Sequence, residues 1–271
     1  MTGKIGNKKA VQSHKWDRHP HDYYTENRWC SVRLFEEHLF GNGIVYDPAC
    51  GSGRILDAAT AIGYHAIGTD LVSRSRHCLL ETDFLDPEFP ANFFADDVNI
   101  VSNPPFQLCQ HKSKPAPYAF IRRALDLIGP DHACALLLPA TWMNADKTSR
   151  FLEETGLTHV YVLTPRPAMP PGTMIEAGFQ PGGGKIDFSW YIWDRAYTGP
   201  RQLLFLHRDG PTMSNSGPVR KPVHERWIGR LSLIAFKGPG KVDSLDLANQ
   251  LKLPESVIYN SMHREREASK E

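Results

Sequence analysis

The chemistry in this chain is easiest to see at Asn103-Pro104-Pro105-Phe106. An amino group conjugated into a ring is a poor nucleophile, because the ring shares its lone pair. The Asn103 side-chain oxygen and the Pro104 carbonyl can each accept one hydrogen from such an amine. Two acceptors together draw the nitrogen toward tetrahedral geometry and localise the pair. Proline fixes φ and carries no N–H, so Pro104 and Pro105 hold a carbonyl toward a ligand without a competing donor. Phe106 offers a face on which a planar group can stack. The competing reading is a proline-stiffened loop beside a core phenylalanine.

The run 46–54, Tyr-Asp-Pro-Ala-Cys-Gly-Ser-Gly-Arg, ends 49 residues before Asn103. Gly51 and Gly53 suit a turn in which backbone approaches a ligand closely. Asp47, Pro48 and Ala49 lead into that turn, and Asp47 is placed at a strand end where a carboxylate can meet an ammonium. No Lys-Ser/Thr follows the glycines, which disfavours a phosphate-binding P-loop, and the spacing misses the dinucleotide pattern. Asp70 lies 23 residues after Asp47, at the end of the next expected strand. An acid there can accept from both hydroxyls of a ribose, as in nucleotide-binding α/β folds; a helix N-cap is the alternative. Asp83 and Phe84 sit near the end of an expected third strand, where the acid can take a ring amino group and the phenylalanine can pack on the ring. Glu81 and Asp86 compete for that role.

The surrounding pattern must hold these residues at one edge of a sheet. Strands are expected at 44–46, 65–71, 98–102, 134–138, 160–163, 188–193 and 203–206. Helices are expected at 26–40, 55–62, 118–128 and 151–156. Alternating strands and helices imply an α/β fold with a mostly parallel, doubly wound sheet. Residues 165–186 hold five prolines and five glycines and read as a long irregular loop of the kind that carries function.

Asp-Pro-x-x-Gly-x-Gly followed by Asn-Pro-Pro-Phe resembles the amino-group DNA methyltransferases, specifically the adenine-N6 enzymes of the phage and prophage orphan type. The resemblance spans about residues 20–207. Tyr23-Tyr24-Thr25-Glu26 resembles the family's segment over the methionine end of S-adenosylmethionine (SAM), although Glu26 stands where the family often has proline. The resemblance implies a Rossmann-like class I SAM-dependent methyltransferase fold and SAM as cofactor. It implies cofactor contacts from Tyr24, Thr25, Asp47, Pro48, Ala49, Gly51, Gly53, Asp70, Asp83 and Phe84, and catalysis by Asn103, Pro104, Pro105 and Phe106. The partner implied is double-stranded DNA, with the target adenine flipped out of the duplex. A second aromatic is then expected on the base's other face. Phe188, Trp190 and Trp193 are candidates, the first two on one face of a strand, with sheet core as the competing reading. An RNA adenine, a protein glutamine amide, or a catalytically silent SAM- or DNA-binding subunit are the alternatives.

The chain divides into a tail (1–20), a catalytic domain (21–207), a basic linker (208–242) and a small helical appendage (243–271). In the appendage Ala248, Leu253 and Ile258 resemble the packing positions of a helix-turn-helix, which offers Ser256, Tyr259, Asn260 and His263 to a major groove; a helical hairpin or a dimer contact is the alternative. About 60 residues follow Arg208, fewer than a large recognition domain needs. Basic residues outnumber acidic ones five to one in 1–20 and eight to two in 201–241, within a net charge of only +1. Such local excess suits a phosphate backbone or an ordinary solvated face. Apolar residues make up 41% of the chain, with no stretch long enough to span a bilayer. The N-terminus lacks the apolar core of a secretory signal. Five scattered cysteines without a C-x-x-C pair disfavour a disulfide framework or zinc site and suggest a reducing cytoplasm. His14, His19 and His21 read as surface residues of the tail, and no metal is expected.

Overall fold

This computed structural model describes residues 22–41, 43–87, 89, 98–106 and 116–210. The tail, nearly all of the linker, the helix-turn-helix positions and the three tail histidines lie outside them. The elements in chain order are α1 (Arg28–Glu37), β1 (Ile44–Asp47), α2 (Arg54–Ile62), β2 (His65–Asp70), β3 (Cys78–Glu81), β4 (Val98–Ser102), α3 (Ala116–Leu127), β5 (Ala133–Pro139), α4 (Asp146–Glu154), β6 (His159–Thr164), α5 (Gly172–Glu176), β7 (Phe188–Asp194) and β8 (Gln202–His207). One 3-10 turn, Ala140–Asn144, follows β5.

The eight strands form one sheet in the order β3-β2-β1-β4-β5-β7-β6-β8. All neighbours are parallel except at β7, which runs antiparallel between β5 and β6. The expected α/β class, Rossmann-like with a mostly parallel doubly wound sheet, is the one observed.

Strand alternation explains the layering. Ile44 and Tyr46 of β1, Ile100 of β4, and Leu136 and Leu138 of β5 share one cluster with Phe120, Ile121 and Phe151 of α3 and α4. Val45, Val101, Leu137, Trp190 and Ile192 join Leu34, Phe35 and Leu56 of α1 and α2 on the other side. A sheet covered on both faces favours apolar residues at every position; β5 reads that way, and β4 departs at buried Asn99, whose amide is satisfied by the Gly41 carbonyl and the Ala133 N–H. Each large side chain so enclosed contributes about 1.5–3 kcal/mol.

The order of the strands creates a switch point. β1 pairs with β2 on one side and β4 on the other, so the chain leaves the carboxyl ends of β1 and β4 in opposite directions. Open α/β sheets bind ligands in that crevice. Among the described residues no helix is long and apolar enough to cross a membrane.

Candidate functional site

A cavity opens at this switch point, lined from the end of β1 by Asp47, Pro48, Ala49, Gly51 and Ser52, from β2 by Asp70, and from the segment after β3 by Asp83 and Phe84. Asn103 and Pro105 close it from the end of β4, and Tyr24, Thr25 and Glu26 from above. The two motifs, far apart in sequence, therefore share one space.

The glycine turn is set by backbone geometry. Gly51 (φ +48°) and Gly53 (φ +82°) occupy the left-handed region that side chains disfavour. A Cβ on Gly51 would also approach the Tyr23 ring to 2.9 Å. Gly53 starts α2 and is not on the cavity wall; its part is to turn the chain.

Three carboxyl groups surround the turn. Asp47 is 1% exposed, and its Oδ1 accepts from the Ser102 hydroxyl at 2.7 Å and the Ala49 N–H at 3.0 Å. Burial, with smaller contributions from the charges of Glu26 and Asp70, pushes the Asp47 carboxyl up to about 8. Its Oδ2 has no hydrogen-bond partner among the described residues. Asp70 Oδ2 accepts from the Gly51 N–H at 2.7 Å, and its Oδ1 accepts from the Val72 N–H at 3.2 Å and Arg74 at 3.4 Å. The acid at the end of β2 thus pins the glycine turn and retains lone pairs toward the cavity. Asp83 accepts from the Leu85 N–H at 2.9 Å. Phe84 borders the cavity but is 2% exposed and packs on Phe120 with ring centroids 4.7 Å apart.

The segment 22–27 ties the parts together. Thr25 N–H donates to the Pro170 carbonyl at 3.0 Å, and Gly172 N–H to the Tyr23 carbonyl at 3.0 Å. Tyr24 bridges to Pro171. The Tyr23 hydroxyl donates to Glu176 at 2.8 Å, and its ring lies 4.4 Å from the Arg74 guanidinium. The Phe106 N–H donates to Asp22 at 2.7 Å. Thr25 Oγ1 is buried, on the cavity wall, without a partner among the described residues.

Asn103 Nδ2 lies 3.2 Å from both the Tyr24 carbonyl and Glu26 Oε2. A backbone carbonyl and a carboxylate only accept, so the amide orientation follows: NH2 faces the segment above, and Oδ1 is left as an acceptor. Glu26 is buried at 4% exposure, and desolvation holds its carboxyl above the usual carboxylate range, against the lowering effect of the Asn103 hydrogen bond and the Arg54 charge. Sequence reading passed over Glu26 as a poor match to a motif; only its contact with a residue 77 positions away reveals it.

The expected second aromatic wall does not form. Trp190 is 0% exposed, in the layer beneath α1, with its indole N–H donating to the Cys30 carbonyl at 3.0 Å. Its role is core, because β7 lies between two strands and is covered on both faces. Trp193 is equally enclosed, on the opposite face. Phe188 does reach the target loop, but its ring lies 6.0 Å from that of Phe106. Rings at that separation touch, leaving no slot for a base. Phe188 buttresses Phe106. Pro104 is buried, and neither it nor Phe106 is on the cavity wall.

No family model and no curated protein matches the chain. Among solved structures it is similar to a Listeria monocytogenes protein named as a candidate class I SAM-dependent methyltransferase, with 15% identity over 66% of this chain and 62% of that one and a TM-score of 0.44. The type I restriction enzyme EcoKI M protein matches at 14% identity over 73% of this chain and 51% of that one, TM-score 0.45. The type IIG restriction endonuclease BpuSI matches at 13% over 62% and 24%, TM-score 0.41. The chain spans less than two thirds of the length of each of these proteins. At identities this low none of them lends its activity to this chain.

Proposed function

We propose that this chain transfers a methyl group from SAM to the exocyclic N6 of adenine in double-stranded DNA. The observation that carries the reading is the Asn103 amide, held by two acceptor-only partners with Oδ1 to spare, in one cavity with the Asp47–Gly53 turn.

The residues fit the cofactor. Asp47 offers an unpaired carboxylate oxygen to an ammonium, Thr25 an unpaired hydroxyl to a carboxylate, Asp70 its remaining lone pairs to a ribose, and Asp83 an acceptor to a ring amine. When bound, SAM supplies an electrophilic sulfonium methyl. Asn103 Oδ1 and the Pro104 carbonyl then accept hydrogen bonds from the two N–H groups of the target amine and aim its lone pair. With SAM bound, the nitrogen–carbon bond would form as the sulfur–carbon bond breaks, and the methylated amine would release its extra proton to solvent. No covalent link to the protein is needed, so orientation and placed dipoles carry the acceleration. Phe106, braced by Phe188, offers the base one face. Residues 21–207 form the catalytic unit in this reading, and 243–271 contribute DNA contact.

The test is methyl transfer from labelled SAM to unmethylated double-stranded DNA, with RNA and protein in parallel and nucleoside mass analysis of the products. N6-methyladenine in DNA is expected, lowered about 10²- to 10³-fold by Asn103→Ala, with SAM still bound. Label in RNA or in protein glutamine sinks the choice of substrate, and SAM bound without transfer to anything sinks the enzyme reading. Deleting 243–271 is expected to weaken DNA binding and spare SAM binding.

A further inference from the structure

Glu26 is a buried carboxylate with no place in the mechanism so far. Its Oε1 accepts from the Ser31 hydroxyl at 3.2 Å, and its Oε2 from Asn103 Nδ2 at 3.2 Å. Arg54 donates to the Glu26 backbone carbonyl at 3.2 Å. A carboxylate is an expensive way to fill volume, since removing it from water is penalised unless every oxygen is used. Here both oxygens are used, one of them on the side chain that faces the target.

The alternative state of Asn103 shows what that contact does. The terminal torsion of asparagine is broad and close to two-fold, so the amide fits its site in either sense. Rotated by half a turn, it presents two N–H groups to the target amine, which itself brings hydrogens. Donor would meet donor, and the lone pair would stay in the ring. Against Glu26 and the Tyr24 carbonyl, the rotated amide would set oxygen against oxygen twice.

Resting on the proposed methyl transfer, we infer that Glu26 is a positioning residue that locks the Asn103 amide with Oδ1 toward the target amine and polarises it from behind. The charge on the NH2 side draws electron density toward Oδ1, which makes that oxygen a better acceptor. Glu26 also borders the cavity and its charge reaches Asp47, but the positioning role runs through its contact with Asn103.

The experiment compares Glu26→Leu and Glu26→Gln with wild type, each with and without Asn103→Ala, using full-length protein and SAM. Glu26→Leu is expected to lower kcat about tenfold to hundredfold, the scale of a misplaced catalytic group, with the SAM Kd changed less than about threefold. Glu26→Gln can still turn an oxygen to Asn103 Nδ2 and restores most of the rate. In the Asn103→Ala background, Glu26→Leu is expected to do nothing further, because the two act as one unit. A readout free of catalysis runs beside these: the side-chain NH2 resonances of Asn103 in nitrogen-15-labelled protein, identified by their loss in Asn103→Ala, shift in Glu26→Leu and stay near their wild-type position in Glu26→Gln. Should Glu26→Leu not fold, Glu26→Met fills the same volume with a more pliable chain and carries the same expectations. Unchanged kcat and unmoved amide resonances in an active enzyme overturn the inference and leave the proposed function standing. So does a loss that adds to that of Asn103→Ala. Wild-type protein that transfers no methyl overturns the proposed function, and with it the positioning role.

Discussion

The raised carboxyl of Asp47 predicts that cofactor binding moves a proton. With its pKa at about 8, roughly ten carboxyls are protonated for each one ionised at pH 7 in the ligand-free protein. Glu26 and Asp70 push in the same direction as burial, while the Ser102 and Ala49 donors oppose it. A ligand α-amino group titrates near pH 7.7–8.0. Pairing the ammonium with the carboxylate therefore expels about 0.8 proton per molecule bound at pH 7. The affinity is expected to peak near pH 8, about twentyfold above its value at pH 6, and to fall about fourfold again by pH 9. Titration calorimetry in two buffers of different ionisation enthalpy measures the released proton directly, and the same titrations give the Kd at each pH. Asp47→Asn keeps an acceptor for Ser102 and Ala49, so its acid-side dependence is expected to vanish. Stability gives an independent check. The folded carboxyl titrates above its unfolded value, so its contribution is complete below about pH 4 and is lost as the pH rises toward 8. Wild type should thus lose ground to Asp47→Asn across that window and hold level beyond it. A Kd that is flat from pH 6 to 8 with no proton released refutes the reasoning.

Three further outcomes are expected. A Cβ on Gly172 would fall inside the Tyr23 ring, so Gly172→Ala should displace the segment over the cavity and weaken SAM binding about tenfold by calorimetry, with little change in Tm. Trp190→Phe removes the indole donor to the Cys30 carbonyl, which keeps its place in the α1 ladder, and should cost about 0.5–1.5 kcal/mol in urea unfolding for that bond, while the KM for DNA stays at the wild-type value; a selective rise in KM would return Trp190 to the target pocket. Asp70→Asn trades a charged acceptor of the Gly51 N–H for a neutral one, and the SAM Kd is expected to rise about tenfold or more.

The two motifs were legible because each depends on local chemistry. Gly51 and Gly53 announce a turn that other residues resist, and the β-branched residues Val98, Ile100 and Val101 mark β4 just before Asn103. Burial patterns were less complete guides. The sequence predicts a helix over 151–156, but α4 begins at Asp146, because its exposed first turn carries few apolar residues to mark a period. The third strand stops at Glu81, so Asp83 reaches the cavity from a loop. Within 165–186, α5 is too short to show a periodicity. Trp190 stays open between target pocket and sheet core in the sequence, because an aromatic near an apparent active loop looks like a binding surface until its strand is known to be central; its burial decides for core. Glu26 was beyond reach for the opposite reason: its neighbour Ser31 is close in sequence, but the partner that gives it meaning comes from another motif.

The strip of chain at 22–27 touches the glycine turn through Tyr23, the target loop through Asp22 and Asn103, and the proline-rich loop through Pro170, Pro171 and Gly172. In the proposed reading both SAM and the target base meet side chains that this strip holds. Thermodynamic reciprocity then applies: if SAM tightens the grip on DNA by some factor, DNA must tighten the grip on SAM by the same factor. A mutation off the cavity wall, such as Glu176→Gln, which weakens the hold on the Tyr23 hydroxyl, is then free to leave each separate affinity nearly intact while erasing that shared factor.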